Sequence, residues 1–130
     1  QEGLNAAGLT RQDKLVFQVS KDLCSAQQMV SHLIQQQLSF SAIIGSEDII
    51  AIGAQKALSA AGISIPVIGC NNSMLAECAT PALTSIDNRL DILCPAAVDA
   101  LTKILDNGPQ AAPSQTVFPA IIKYRESFME

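Results

Sequence analysis

The sequence has no tryptophan, and aromatic residues make up only 4% of it. A core for this chain must therefore be built from Ile, Leu, Val and Ala. Charge is also scarce, at 15% of residues, and the eight Lys and Arg stand singly within a net charge of −4. No basic face of the kind that holds nucleic acid is visible, so any contact with DNA is expected to come from another part of a longer protein. No apolar run reaches membrane-spanning length. There is one histidine, His32, inside a helical stretch and without a Ser or Cys partner in its sequence context. It reads as an ordinary surface or core residue. The four cysteines, Cys24, Cys70, Cys78 and Cys94, contain no Cys-x-x-Cys pair, which argues against a structural zinc site. They are expected to be reduced thiols, mostly buried. Gly-x-Ser-x-Gly, Walker and Gly-x-Gly-x-x-Gly patterns are lacking too. No catalytic residue, no metal and no cofactor is expected.

What the chain does have is apolar surface to bury: 48% of its 130 residues are hydrophobic, enough for one domain with a core. It opens on Gln1-Glu2-Gly3-Leu4-Asn5-Ala6-Ala7-Gly8, which reads as the last turns of a helix closed by Gly8 and suggests a piece of a longer protein. A run of mainly β-formers at 14–19 and apolar runs at 41–45 and 66–70 read as strands, 83–86 as a short extended piece, and 116–118 and 120–125 as further short strands around Pro119. Helical spacing marks 25–38, 47–61 (ended by Gly62) and 92–105 (with Asp91 as its cap and Pro95 in its first turn), and a short helix or turn covers 73–78. A Pro-containing linker covers 110–114. The alternation predicts an α/β fold, a three-layer parallel sheet with helices on both faces.

In such a sheet, ligands sit beyond the carboxyl ends of the strands. Three predicted strands end in polar clusters: Ser20-Lys21-Asp22, Ser46-Glu47-Asp48 and Asn71-Asn72-Ser73. Together these groups suit a hydroxyl-rich ligand. Asp22, Asp48 and Ser73 each precede or open a helix, so capping is the competing role for every one of them. Asn71 is the better candidate, because it comes straight after a buried strand and before the next cap.

Several segments resemble the lactose/galactose repressor family. Ala42-Ile43-Ile44-Gly45-Ser46-Glu47-Asp48-Ile49-Ile50-Ala51-Ile52-Gly53-Ala54 resembles the family's strand-then-helix segment with its Asn-Asp pair and Ala-x-Gly. Val67-Ile68-Gly69-Cys70-Asn71-Asn72-Ser73 resembles the next strand. Thr80-Pro81-Ala82-Leu83-Thr84-Ser85-Ile86-Asp87 resembles the Thr-Pro-x-Leu-Thr-Thr-Ile segment, Arg125-Glu126-Ser127 the Arg-Glu-Ser near the carboxyl end, and Gly3-Leu4 the Gly-aromatic of an early helix. The resemblance implies an incomplete periplasmic-binding-protein-like lobe, with residues 1–86 forming most of the carboxy-terminal lobe. Residues 87–119 would be a crossover helix and strand completing the other lobe, and 120–130 a return strand. It further implies a cytoplasmic homodimer or higher oligomer. Such a regulator senses a small-molecule effector, a sugar or sugar phosphate, and binds operator DNA only through a separate helix-turn-helix head. By motif position Asn71, Glu47 and Leu23 fall at effector contacts. The family often has Asp, Asn and an aromatic ring there, in that order. Asp48 and Asp22, from the polar clusters at the strand ends, are expected as further effector contacts, and by the resemblance Ile49, Ile52 and Lys56 fall in the dimer interface.

Two other functions fit the same fold. A periplasmic sugar-binding transport receptor would carry a signal peptide upstream, where a regulator carries a helix-turn-helix. An enzyme on a doubly wound fold would need a nucleophile and base that this sequence does not offer.

Overall fold

Three helices end in the same way, and those endings set the frame of the fold. The structure, a computed structural model, describes residues 2–113 and 115–128. Gln1, Ser114 and the last two residues, which fall within the expected first helix, linker and return strand, lie outside the described residues. Helix α1 (Glu2–Ala6) closes on Gly8 at φ +68°, and α3 (Asp48–Ala60) closes on Gly62 at φ +67°. In each, the next residue's N–H reaches back five residues: Leu9 donates to the Leu4 carbonyl at 2.8 Å and Ile63 to that of Leu58 at 2.9 Å. This is the six-to-one closure that a left-handed residue permits. Helix α2 (Leu23–Gln35) makes the same closure with Gln37 at φ +55°, and Leu38 donates to the Leu33 carbonyl at 3.1 Å. The expected helix 25–38 therefore stops three residues early, at a left-handed turn that carries no glycine to announce it. It also starts two residues early, because Asp22 is its cap.

The four-stranded sheet has the order β1-β2-β3-β4. β1 (Ile43–Ile44), β2 (Val67–Cys70) and β3 (Thr84–Asp87) are parallel, and β4 (Ile121–Lys123) is antiparallel to β3. The architecture is α/β, a mostly parallel sheet flanked by helices. Ile43 pairs with Val67, and both face α3; Ile44 pairs with Ile68 and faces the other way. Val30 of α2, Ala51, Ala54, Ala57 and Leu58 of α3, Ala76 of α4 (Met74–Cys78), and Val67 and Leu83 form the core. It is aliphatic, as the shortage of aromatics requires. The opposite face is more open than uniformly apolar strands suggest, with Ile44 75% exposed. No described element lies across it there: α5 (Leu90–Asn107) packs mainly on the short turn Pro109–Ala111.

Two expected strands do not form. Residues 13–15 make a single 3-10 turn, and 16–20 run extended without joining the sheet. Leu15, Phe17 and Val19 still share an apolar cavity of about 190 Å³ with Val30, Leu33, Ile43 and Ile44. Side chains approach, but among the described residues no backbone hydrogen bond links 16–20 to β1. β-propensity measures fit to a pleated, half-buried surface and does not by itself supply a pairing partner. Residues 116–118 are likewise unpaired, with Val117 75% exposed. Helix α5 starts at Leu90, with Arg89 at φ +54° as its cap in place of Asp91. Pro95 consequently lies beyond the first turn and deprives the Asp91 carbonyl of a donor. The cysteines are free, but not buried: Cys24, Cys78 and Cys94 sit on exposed helix surface and Cys70 is half-buried.

The two most specific sequence segments meet each other. The Arg125 guanidinium donates to the Leu83 carbonyl at 2.9 Å, the Ala82 N–H to Glu126 Oε2 at 2.8 Å, and the Thr84 N–H to Ser127 Oγ at 2.8 Å. Ser127 Oγ donates onward to the Val67 carbonyl at 2.6 Å. The carboxyl-terminal segment is thereby pinned to the starts of β2 and β3. Elsewhere, α2 and α3 approach closely because Gly53 has no Cβ: one built there would collide with the Leu23 carbonyl and, at 2.8 Å, with the Ala26 Cβ. Backbone cannot yield as a flexible side chain can. Gly53→Ala is therefore expected to destabilise the fold by about 1–3 kcal/mol, read as a lower urea midpoint at unchanged slope.

Candidate functional site

Parallel pairing places the carboxyl ends of β1, β2 and β3 on one edge. That edge gathers Glu47 and Asp48 after β1, Asn71 to Ser73 after β2, and Asn88 and Arg89 after β3. Asp48 is the first residue of α3 and is 2% exposed. Its Oδ2 accepts from the Ser73 N–H at 2.6 Å and from Ser73 Oγ at 2.8 Å, and its Oδ1 accepts from Ser85 Oγ at 2.5 Å. Both oxygens are thus engaged inside the protein. Glu47, the backbone cap of α3, makes no side-chain capping bond. Its carboxylate instead pairs with the Lys21 ammonium at 2.5 Å, which raises the Lys21 pKa, through the hydrogen bond first and charge attraction second.

Asn71 is exposed at the end of β2, with its backbone at φ +95° and its N–H donating to the Ile86 carbonyl at 2.8 Å. Its Oδ1 accepts from Asn88 Nδ2 at 3.0 Å. Asn72, at φ +47°, is held on every side. Its N–H donates to Ser85 Oγ at 3.0 Å and its Nδ2 to Asp87 Oδ2 at 3.2 Å. Its Oδ1 accepts from Arg125 Nη2 at 2.8 Å, and the same nitrogen reaches Glu77 Oε1 at 2.9 Å. Sequence reasoning did not single out Asn72, Ser85, Asp87, Asn88 or Arg125 as site residues. Asn88 carried a usable signal, since it follows a strand just as Asn71 does. Arg125 carried none, because it lies 53 positions from the asparagine it orients.

Asp22 caps α2, accepting from the Ser25 N–H and Ser25 Oγ, both at 2.8 Å. Those bonds, the backbone one first, hold its pKa below the usual carboxylate value. At the start of α5, Asp91 is lowered and Arg89 raised, each chiefly by the hydrogen bond between them. Among the described residues, Leu23 shares no groove with Asn71. It lines a groove of about 360 Å³ between α2, α3 and α4 with Ile49, Ile52, Lys56, Leu75 and Cys78. The structure thus brings Leu23 together with the three residues expected at the dimer interface. Of the expected effector contacts, Asp22 and Asp48 serve the scaffold, while Glu47 and Asn71 keep polar atoms at the edge.

Asp22→Ala is expected to lower the melting temperature near neutral pH, because the first turn of α2 loses its side-chain cap. Because the folded-state pKa of Asp22 is depressed, its contribution is complete above its unfolded pKa and is lost as the pH falls through the folded value. Thermal melts of parent and variant over a descending pH series should converge at the acid end.

Comparison with known proteins agrees with this geometry. The family model of the periplasmic binding protein-like domain matches residues 2–128. An HTH-type transcriptional regulator of Lachnoclostridium phytofermentans is 34% identical over 107 residues, covering 79% of this chain and 32% of its own length. The crystal structure of the Escherichia coli transcriptional repressor ascG superposes with a TM-score of 0.83 at 26% identity, over 99% of this chain and 48% of that one. A sugar-binding transcriptional regulator of the LacI family from Escherichia coli, solved with phosphate, gives a TM-score of 0.82 at 26% identity, over 98% and 47%. This chain spans about a third of the curated relative's length and about half of each solved chain. The chain belongs to the periplasmic binding protein-like domain family, in the form carried by transcription regulators of the lactose/galactose repressor type.

Proposed function

We propose that this chain is the effector-sensing part of a bacterial DNA-binding transcription regulator, in which a small polar metabolite controls operator binding by a separate helix-turn-helix head. The observation that carries this is the convergence of three parallel strand ends, with Glu47, Asn71 and Asn88, on one sheet edge. The metabolite is a sugar or sugar phosphate. Asn71 and Glu47 contact it, Asp48 anchors the turn that presents Asn71, and Asp22, in the polar cluster before α2, is a further contact. Leu23, which lines the groove of α2, α3 and α4, packs on the sugar face. Residues 1–86 supply most of one lobe, 87–119 the crossover to the other, and 120–130 the return. The chain senses and does not catalyse, consistent with relatives that are regulators. The regulator works in the cytoplasm, and no described helix is long and apolar enough to cross a membrane.

Losing one good hydrogen bond to a ligand hydroxyl costs about 1–3 kcal/mol. Asn71→Ala in the whole regulator should therefore weaken glucose or glucose 6-phosphate about tenfold or more by calorimetry. Equal affinities in parent and variant would remove Asn71 from the site.

The regulator also acts as a homodimer, through Ile49, Ile52 and Lys56. The apolar groove that these residues share with Leu23 and Leu75 supports that reading, and Leu101 and Leu105 on α5, 57% and 75% exposed, offer a second surface for self-association. Sedimentation of this chain over a dilution series should show a species heavier than 13.7 kDa that Ile52→Ser weakens. A clean monomer at high concentration would sink the dimer.

A further inference from the structure

We propose that Asp48 is a positioning residue for the ligand edge. Through Ser73 and Ser85 it holds the Asn71–Asn72 turn in its left-handed backbone, and so fixes where the Asn71 side chain meets the edge. This rests on the reading of that edge as the ligand site.

The turn needs holding. Asn71 and Asn72 are consecutive non-glycine residues at φ +95° and +47°. Asn tolerates the left-handed region better than most residues, but Asn71 lies well outside the usual well near +57°. Such a backbone persists only where its surroundings over-determine it. Here the surroundings form one connected relay. The Asn72 N–H donates to Ser85 Oγ at 3.0 Å, and the Ser85 hydroxyl spends its only proton on Asp48 Oδ1. The next N–H along, that of Ser73, donates to Asp48 Oδ2 at 2.6 Å, and the Ser73 hydroxyl donates to the same oxygen at 2.8 Å. Two successive amides of the turn are thus fixed by one side chain, the first through a bridge and the second directly. Every partner is a donor, so the relay needs two acceptor oxygens at position 48. An asparagine there has one. Its NH2 group would face either the Ser73 N–H or the Ser85 hydroxyl, and the amide, unlike the hydroxyl, cannot turn away.

The space for this carboxylate is also built. Gly69 of β2 lies directly under it, and a Cβ there would run into Asp48 Oδ1 and, at 2.8 Å, into Leu83. Asp48 is at once the first residue of α3, so the turn is referred to the most deeply packed helix of the fold. The Asn71 side chain bonds to neither Asp48 nor Ser85 and meets Asn88 instead. Asp48 therefore acts on it through the backbone.

The test is backbone NMR of this chain with amide exchange at Asn72 and Ser73, comparing Asp48→Asn, Ser85→Ala and Ser73→Thr. Ser85→Ala should speed exchange at Asn72 about tenfold, and Asp48→Asn should do the same at Ser73. Carbon shifts of Asn71 and Asn72 should move away from left-handed values in both, while the amides of Ala54 and Ala57 within α3 stay protected. Ser73→Thr keeps the hydroxyl and should resemble the parent, which separates lost hydrogen bonding from lost packing. In the whole regulator, affinity for glucose 6-phosphate or glucose should fall in parallel with release of the turn. Unchanged shifts and exchange in Asp48→Asn overturn the proposal, and so does a released turn with undiminished affinity. If the parent binds neither probe, the reading of the edge fails instead, and the exchange data still decide whether Asp48 holds the turn.

Discussion

A buried carboxylate is the point from which the carboxyl edge of this sheet is organised. Taking Asp48 out of water is costly unless its oxygens find donors, and the penalty for an unpaired buried charge runs to several kcal/mol. The three hydrogen bonds from Ser73 and Ser85 meet that requirement, each of a kind worth about 1.5–3 kcal/mol when the acceptor is charged. They come from the segments after β2 and within β3, so the condition for burying one side chain is also the condition for bringing three strands into register at their ends. Gly69 belongs to the same arrangement. Its bare backbone admits the carboxylate, and a side chain there would displace either Asp48 or Leu83 from the core.

The opposite edge is tied differently, by chain segments distant in sequence. Arg125, Glu126 and Ser127 bond to Leu83, Ala82 and Thr84, closing the sheet with an antiparallel fourth strand. Arg125 then spans both edges, because its guanidinium also reaches Asn72 and Glu77. The terminal segment is thus part of the candidate site's support as well as of the fold's closure. The core between the edges is almost all Ala, Val and Leu. Small residues let α2 and α3 lie close, at the cost of leaving little room for error at Gly53.

Much of this was legible in the sequence wherever a local rule governs. Gly8 and Gly62 marked helix ends because a left-handed residue is needed there, and both are left-handed. Gln37 fills the same role without the matching residue type, so the end of α2 was overrun. The strand at 66–70 was readable because it is apolar and buried between neighbours, whereas 83–86, with Thr84 and Ser85 inside it, reads only as an extended piece although it lies within the sheet. Residues 14–19 have equally good β-formers but no backbone partner, and pairing is not a property of the segment itself. At the candidate site, the strand-end rule points to Glu47 and Asn71, and both follow parallel strands at the carboxyl edge. It could not separate ligand contact from scaffold for Asp48, whose donors lie 25 and 37 positions away. Nor could it reveal Arg125, whose partners lie 41–53 positions away.

The same helix serves both faces that the proposed regulator needs. α3 begins with the carboxylate that fixes the Asn71–Asn72 turn, and one residue later it presents Ile49 and then Ile52 and Lys56 to the groove shared with α2 and α4. A ligand that preferred a different backbone at Asn71–Asn72 would have to pull against Asp48, and Asp48 cannot move alone, since Gly69 and Ser85 confine it. A shift of Asp48 would bear on the first turn of α3, which begins with Asp48 and continues into the groove lining at Ile49. Packed interfaces respond to such shifts by switching between discrete arrangements and not by deforming smoothly. A coupling of this kind requires only that the ligand interact differently with the two arrangements. The short path from Asn72 through Ser85 and Asp48 to Ile49 supplies the physical connection.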